Sequence, residues 1–204
     1  QGATWTAVSE PSTSSQSLMD VACSRGTAGK VFIYHSGNNT IYRTTNSGSS
    51  WTNLNLSSSA TFPRTLFSNT AYNFSQDTYD THITTSLYSG VEYLYCGLIT
   101  LAVSANDGST WTDVGRSYQS NSLLHNDQHC MDIHPTSGAI SMVGGDGGIF
   151  QLFYIPSVVT SFTPKNAALQ TTQFYHMSLH PTSYSIYQTG GTQDNASQSS
   201  EGDL

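Results

Sequence analysis

Three tryptophans in one short phrase, a strand-and-turn pattern that recurs along the chain, and the lack of helical periodicity together predict an all-β fold. The expected form is a β-propeller segment of about four four-stranded blades. The phrases are Gly2-Ala3-Thr4-Trp5-Thr6, Gly48-Ser49-Ser50-Trp51-Thr52 and Gly108-Ser109-Thr110-Trp111-Thr112, with the tryptophans 46 and 60 residues apart. The first copy has only Gln1 before it, and the last repeat runs to Leu204 without a tryptophan. The reading is therefore of a segment incomplete at both ends.

The elements follow in order. Residues 1–16 read as the end of a preceding blade, and residues 17–56 as the first full one. That blade has strands Met19-Asp20-Val21-Ala22-Cys23, Val31-Phe32-Ile33-Tyr34 and Thr40-Ile41-Tyr42-Arg43, the last leading into a tryptophan phrase. The second blade, 79–115, has His82 to Thr85, a turn at Ser89-Gly90, Val91 to Tyr95, and Ile99 to Val103. The third, 128–164, has Cys130 to Ile133, a turn at His134 to Gly138, Ala139 to Val143, and Gly148-Ile149-Phe150. An incomplete fourth, 173–204, has His176 to Leu179, a turn at His180-Pro181-Thr182-Ser183, and Tyr184 to Thr189 followed by Gly190-Gly191. Each strand is short, bounded by Gly, Asn, Asp or Ser, and rich in β-branched and aromatic residues.

Composition narrows the function classes. Only 9% of the 204 residues are charged, Ser and Thr exceed a quarter of the chain, and there are 17 Gly and 12 Tyr. A net charge of −7 with six Lys and Arg excludes a phosphate-tracking surface, so nucleic acid is not an expected partner. No apolar run approaches the ~20 residues that span a bilayer. Cys23, Cys96 and Cys130 lack metal-type spacing and read as small buried hydrophobes, with one disulfide plus a free thiol as the alternative. Sequons at Asn38, Asn55, Asn73 and Asn195 permit N-glycosylation in a secretory pathway.

The phrases running from Thr44 to Trp51 and from Ser104 to Trp111 resemble the Asp-box, Ser-x-Asp-x-Gly-x-Thr-Trp, of the Asp-box (BNR-repeat) propeller family. That family includes sialidase-like, sortilin-like and glycosyl-hydrolase-like secreted proteins. Thr44, Asn46, Gly48 and Trp51 match the box in one copy, and Ser104, Asn106, Gly108 and Trp111 in the other, with Asn standing where Asp is usual. A short side-chain oxygen accepts backbone N–H groups in either case, glycine supplies a positive φ and tryptophan packs under the turn. The resemblance extends over most of the chain through Tyr79-Asp80, His125-Asn126-Asp127-Gln128-His129, Gly145-Asp146-Gly147-Gly148-Ile149, Leu169 to Tyr175 and Gly191-Thr192-Gln193-Asp194-Asn195. It implies a secreted or cell-surface propeller whose boxes lie on the face away from the ligand.

On the opposite face the sequence gathers Asp77, Asp80, His82, His125, Asp127, His129, Asp146 and Asp194. Asp80, Asp127, Asp146 and Asp194 are the candidate catalytic carboxylates; His125, Asp127, His129, Gln193 and Asp194 are the candidate ligand-binding residues. In an extended chain His125, Asp127 and His129 would share one face and could hold a transition metal. The favoured reading makes Asp127 a turn cap and bonds the two histidines to backbone, so no metal and no cofactor is expected. Gly144 to Gly148 reads as a tight turn, since no helix follows it to form a phosphate cradle.

Sialidase chemistry needs an arginine cluster, yet only Arg25, Arg43, Arg64 and Arg116 exist. The resulting reading is a non-catalytic extracellular propeller segment for carbohydrate or protein recognition or surface structure. The alternatives are a glycoside hydrolase whose other catalytic residues lie outside this chain, and a structural subunit that self-associates through open blade edges.

Overall fold

A computed structural model describes residues 4, 6–7, 11, 18–63, 76–169, 172–179, 182, 187–194 and 196–201. Among them are fifteen strands, two short 3-10 turns and no α-helix, so no helix is long and apolar enough to cross a membrane. Within the unit ending at Pro164 there are three sheets. The first holds β1 (Met19–Cys23), β2 (Val31–His35), β3 (Thr40–Thr44) and β4 (Thr52–Asn53). The second holds β5 (His82–Tyr88), β6 (Val91–Gly97), β7 (Leu101–Ser104) and β8 (Thr112–Asp113). The third holds β9 (Gln128–Ile133), β10 (Ile140–Gly145), β11 (Gly148–Ile155) and β12 (Val159–Pro164). All three are antiparallel meanders in chain order, the blade pattern of a propeller.

The sheets pack face to face. On β6, Leu94 and Cys96 join Ala22, Phe32, Tyr34 and Ile41 of the first sheet in one core, while Tyr93 and Tyr95 join Ile133, Val143, Leu152 and Tyr154 of the third in another. A strand covered on both faces reads as a continuous apolar run, which is why Val91 to Tyr95 shows weak alternation. The leading strands β1, β5 and β9 lie side by side. Ile83 N–H, on the edge of β5 away from β6, donates to Asp20 Oδ2 at 2.6 Å, and Thr85 Oγ1 donates to the Cys23 carbonyl at 2.7 Å.

The tryptophan hairpins carry a common bond set. Asn46 Oδ1 accepts Ser50 N–H at 2.9 Å, and Thr44 Oγ1 accepts Gly48 N–H at 3.0 Å. Asn106 Oδ1 accepts Thr110 N–H at 2.8 Å, and Ser104 Oγ accepts Gly108 N–H at 2.9 Å. Both glycines have φ +85°. The asparagine amides add bonds that a carboxylate cannot make, donating to Ser50 Oγ at 2.9 Å and to Thr110 Oγ1 at 2.8 Å. Trp111 reaches further than its own turn, packing edge to face against Phe62 at 5.2 Å in the core shared with the first sheet. At this end Lys30 is buried between Glu92 at 2.7 Å and Asp107 at 2.8 Å, tying the first sheet to the second.

Two expectations are corrected. Of the cysteines only Cys96 is buried, and none forms a disulfide. Cys23 and Cys130 leave their strands on the side away from the second sheet, opposite Ala22 and opposite Met131 and Ile133. The unit from Lys165 onward, read as an incomplete blade, holds a three-stranded meander of β13 (Phe174–Leu179), β14 (Tyr187–Thr192) and β15 (Ser197–Glu201). Gly190 and Gly191 lie inside β14 and do not follow it, since both pair with β13 and β15, and the Phe174 ring occupies the space a Gly190 Cβ would need. The turn expected at 180–183 lies largely outside the described residues, as does the sequon at Asn73 and the asparagine of that at Asn195.

Two substitutions test this packing. A Cβ on Gly138 would stand 2.0 Å from the Leu87 carbonyl oxygen of the second sheet, so Gly138→Ala is expected to lower stability by roughly 1–3 kcal/mol in urea denaturation. Asn106→Asp keeps the acceptor but loses the donor to Thr110, and is expected to cost about 1 kcal/mol in the same measurement.

Candidate functional site

The register separates the two ends of the sheets. Cys23 pairs with Val31 and Val31 with Thr44, so the tryptophan hairpin lies at the C-terminal end of β1, whereas Met19 pairs with His35 at the other end. The segments leading into β5 and β9 arrive at that second end.

A turn leads into β5. The N–H groups of Tyr79 and Asp80 both donate to the Gln76 carbonyl, at 2.7 and 2.8 Å. This turn drives Asp80 inward, to 1% exposure, and Tyr79 outward, to 67%. Thr81 Oγ1 donates to the Asp77 carbonyl, and Tyr34 donates to Asp77 Oδ2 at 2.9 Å.

The lead into β9 contains two departures from extended chain. Asp127 has φ +67°, held by its N–H on the Ile99 carbonyl at 2.9 Å. Gln128 then pairs with Gly145 and Cys130 with Gly144, which leaves His129 as the extra residue of a β-bulge. Bulges re-aim side chains, and this one sets His129 Nε2 2.7 Å from Asp146 Oδ1 and Nδ1 3.5 Å from Asp80 Oδ1. His125, Asp127 and His129 accordingly do not share a face. His125 lies under the Asp146-Gly147 turn, with Nδ1 3.1 Å from the Asn126 carbonyl. Among the described residues no group of three or more His, Cys, Asp or Glu has an arrangement suited to a metal ion.

Asp80, Asp127, Asp146 and His129 are thus brought together. Gln193 and Asp194 belong to the β14–β15 turn of the unit that begins at Lys165, where Gln193 N–H donates to the Gln173 carbonyl at 2.9 Å. The cluster also has members that sequence reasoning did not assign. Tyr79 meets the His129 ring edge to face at 5.2 Å. Gln76 Nε2 reaches Asp127 Oδ1 at 3.4 Å, and Asn126 Nδ2 reaches Asp127 Oδ2 at 3.1 Å. Tyr79 stands beside Asp80 in the motif sequence, yet only the turn reveals which of the pair faces solvent. Beside the cluster a groove of about 410 Å³ runs between the leading strands, lined by Met19, Asp20, Ile83, His129 and Met131 among others.

Burial, with the nearby Asp127 and Asp146 carboxylates adding to it against the opposing pull of His129, pushes the Asp80 carboxyl up to about 7. No donor bonds either of its oxygens among the described residues. Burial also raises Asp127, opposed by its bond from Asn126. His82, enclosed behind them, is driven down to about 4 by burial.

No family model and no curated protein matches the sequence. Similar solved structures include YCF48 bound to D1 peptide, at 13% identity and TM-score 0.43 over 90% of this chain and 50% of that one. The GH74 enzyme of Niastella koreensis is 16% identical with TM-score 0.46, over 86% of this chain and 26% of that one. YCF48 from Cyanidioschyzon merolae is 12% identical with TM-score 0.38, over 85% and 51%. The chain thus spans about half of each YCF48 chain and about a quarter of the GH74 chain.

The pKa shifts fix a pH dependence. A carboxyl raised on folding binds its proton more tightly in the folded state, so its contribution is present at low pH and lost as pH rises through about 7. His82, depressed on folding, acts in the opposite sense and only between about 6.5 and about 4. Stability is therefore expected to fall between pH 6 and pH 8 in urea titrations, and Asp80→Asn to flatten that fall.

Proposed function

We propose that this chain is a non-catalytic recognition segment of an Asp-box propeller that works outside the cell and binds carbohydrate at the end where Tyr79, His129 and Asp146 meet. The observation that carries this reading is Tyr79, whose ring is turned to solvent against His129, itself bonded to Asp146. A sugar ring offers an apolar C–H face and a rim of hydroxyls. The tyrosine ring suits the first, and the imidazole and carboxylate suit the second. A chain in which hydroxyls and amides supply most of the polarity fits a wet recognition surface.

The hairpin bonds of Asn46 and Asn106 support the family reading, since they are those an Asp-box aspartate would accept. An exposed Asn55 suits glycosylation in a secretory pathway. Hydrolysis of a glycoside requires a protonated carboxyl facing the scissile bond, and the carboxyl held neutral here is enclosed.

Binding to a glycan array tests the reading. Tyr79→Ala is expected to weaken the best array ligand about tenfold, with an unchanged thermal midpoint because the ring is exposed. Undiminished binding by Tyr79→Ala, or binding to a peptide library with none to glycans, would overturn it.

A further inference from the structure

A second exposed tyrosine belongs to this end of the molecule. Tyr118 sits in the loop between β8 and β9 and is 53% exposed with φ +60°. A bulky residue adopts left-handed backbone only when its surroundings impose it, and such positions concentrate at ligand sites. The loop is firmly held. Arg116 N–H donates to Asp113 Oδ1 at 2.8 Å, and Ser117 N–H donates to Thr100 Oγ1 at 3.3 Å. Leu123 and Leu124 N–H both reach the Gly115 carbonyl, and the Leu124 side chain is buried in the core between the second and third sheets. Tyr118 is therefore exposed on a pinned segment.

The two exposed tyrosines are joined by a continuous set of hydrogen bonds. Asn126 Nδ2 donates to Tyr118 Oη at 3.0 Å and to Asp127 Oδ2 at 3.1 Å. Asp127 Oδ1 accepts Gln76 Nε2 at 3.4 Å, and the Gln76 carbonyl accepts Tyr79 N–H at 2.7 Å. Asp127, buried between them, thus holds the segment before β5 and the segment before β9 in one register, with an aromatic ring on each.

We infer that Tyr79 and Tyr118 are paired platforms of a single extended site, and that its ligand is a chain of linked sugar rings that lies across both, not a monosaccharide. The inference rests on the carbohydrate reading above and goes beyond it in assigning Tyr118 and in requiring an oligomer. The hydrogen-bonded network ties both rings to the buried Asp127 before any ligand arrives, and a linear oligosaccharide offers the repeated apolar ring faces that two such platforms would take, with little ordering cost to the protein.

The test uses an array carrying neutral glucan, xylan, mannan and chitin oligosaccharides graded from one to six units, followed by calorimetry with the series that binds. Affinity is expected to rise with length in the wild type. Tyr118→Ala is expected to abolish the rise, leaving the longest oligomer about tenfold weaker and the shortest unchanged. Tyr118→Phe keeps the ring and is expected to retain the length dependence. A Tyr118→Ala protein that keeps the full length dependence while Tyr79→Ala loses binding would overturn the two-platform site and leave the carbohydrate reading standing. Binding lost equally for all lengths in Tyr118→Ala would also overturn it, since that pattern marks one compact site. Wild-type protein that binds no oligosaccharide of any length would overturn both.

Discussion

Because Leu94 and Cys96 leave β6 on one side and Tyr93 and Tyr95 on the other, the second sheet supplies half of each of the two cores. In β1 and β9 exposed positions recur at alternate residues. The hydrophobic burial that makes these short strands stable is therefore concentrated at the two contacts with the second sheet. The hydrogen bonds from Ile83 and Thr85 to the first sheet fix the height at which the leading strands meet. That height brings Asp80 level with His129.

The two ends of the sheets use charge differently. At the hairpin end Lys30 is enclosed, but Glu92 and Asp107 both contact its ammonium, and Glu92 further accepts Ser24 Oγ and two backbone N–H groups. Satisfied in this way, a buried ion pair specifies how two elements dock more than it adds to stability. At the opposite end the enclosed Asp80 faces the Asp127 and Asp146 carboxylates, with His129 Nδ1 only as near as 3.5 Å, and it meets the cost of burial by keeping its proton to about pH 7. One end is built to stay as it is, and the other holds groups whose state depends on the medium.

What could be read from the sequence follows from how local each feature is. The tryptophan hairpins were legible because their bonds run between residues two to four apart, as from Gly48 to Thr44 and from Ser50 to Asn46. The strands were legible because each pairs with its sequence neighbour. The clustering of Asp80, Asp127, Asp146 and His129 at one end followed from counting which loops share a face. The bulge at His129 was not legible, since it arises from the pairing of Gln128 and Cys130 with adjacent glycines on another strand. Nor was the inward turn of Asp80 against the outward turn of Tyr79, which depends on two bonds to one carbonyl. The exposure of Cys23 and Cys130 was missed because strand periodicity says that a residue alternates and not which side is covered.

Strand pairing strictly between chain neighbours also bears on how the molecule assembles. Each meander can form from contacts close in sequence, the kind that closes quickly, but a single meander buries too little to persist alone. Cooperativity then enters at the contacts between sheets, much as in a stack of repeats coupled only to their neighbours. Damage to the second sheet therefore disturbs both of the cores it shares. Within the unit ending at Pro164 the second sheet thus couples the opening of the first sheet to that of the third.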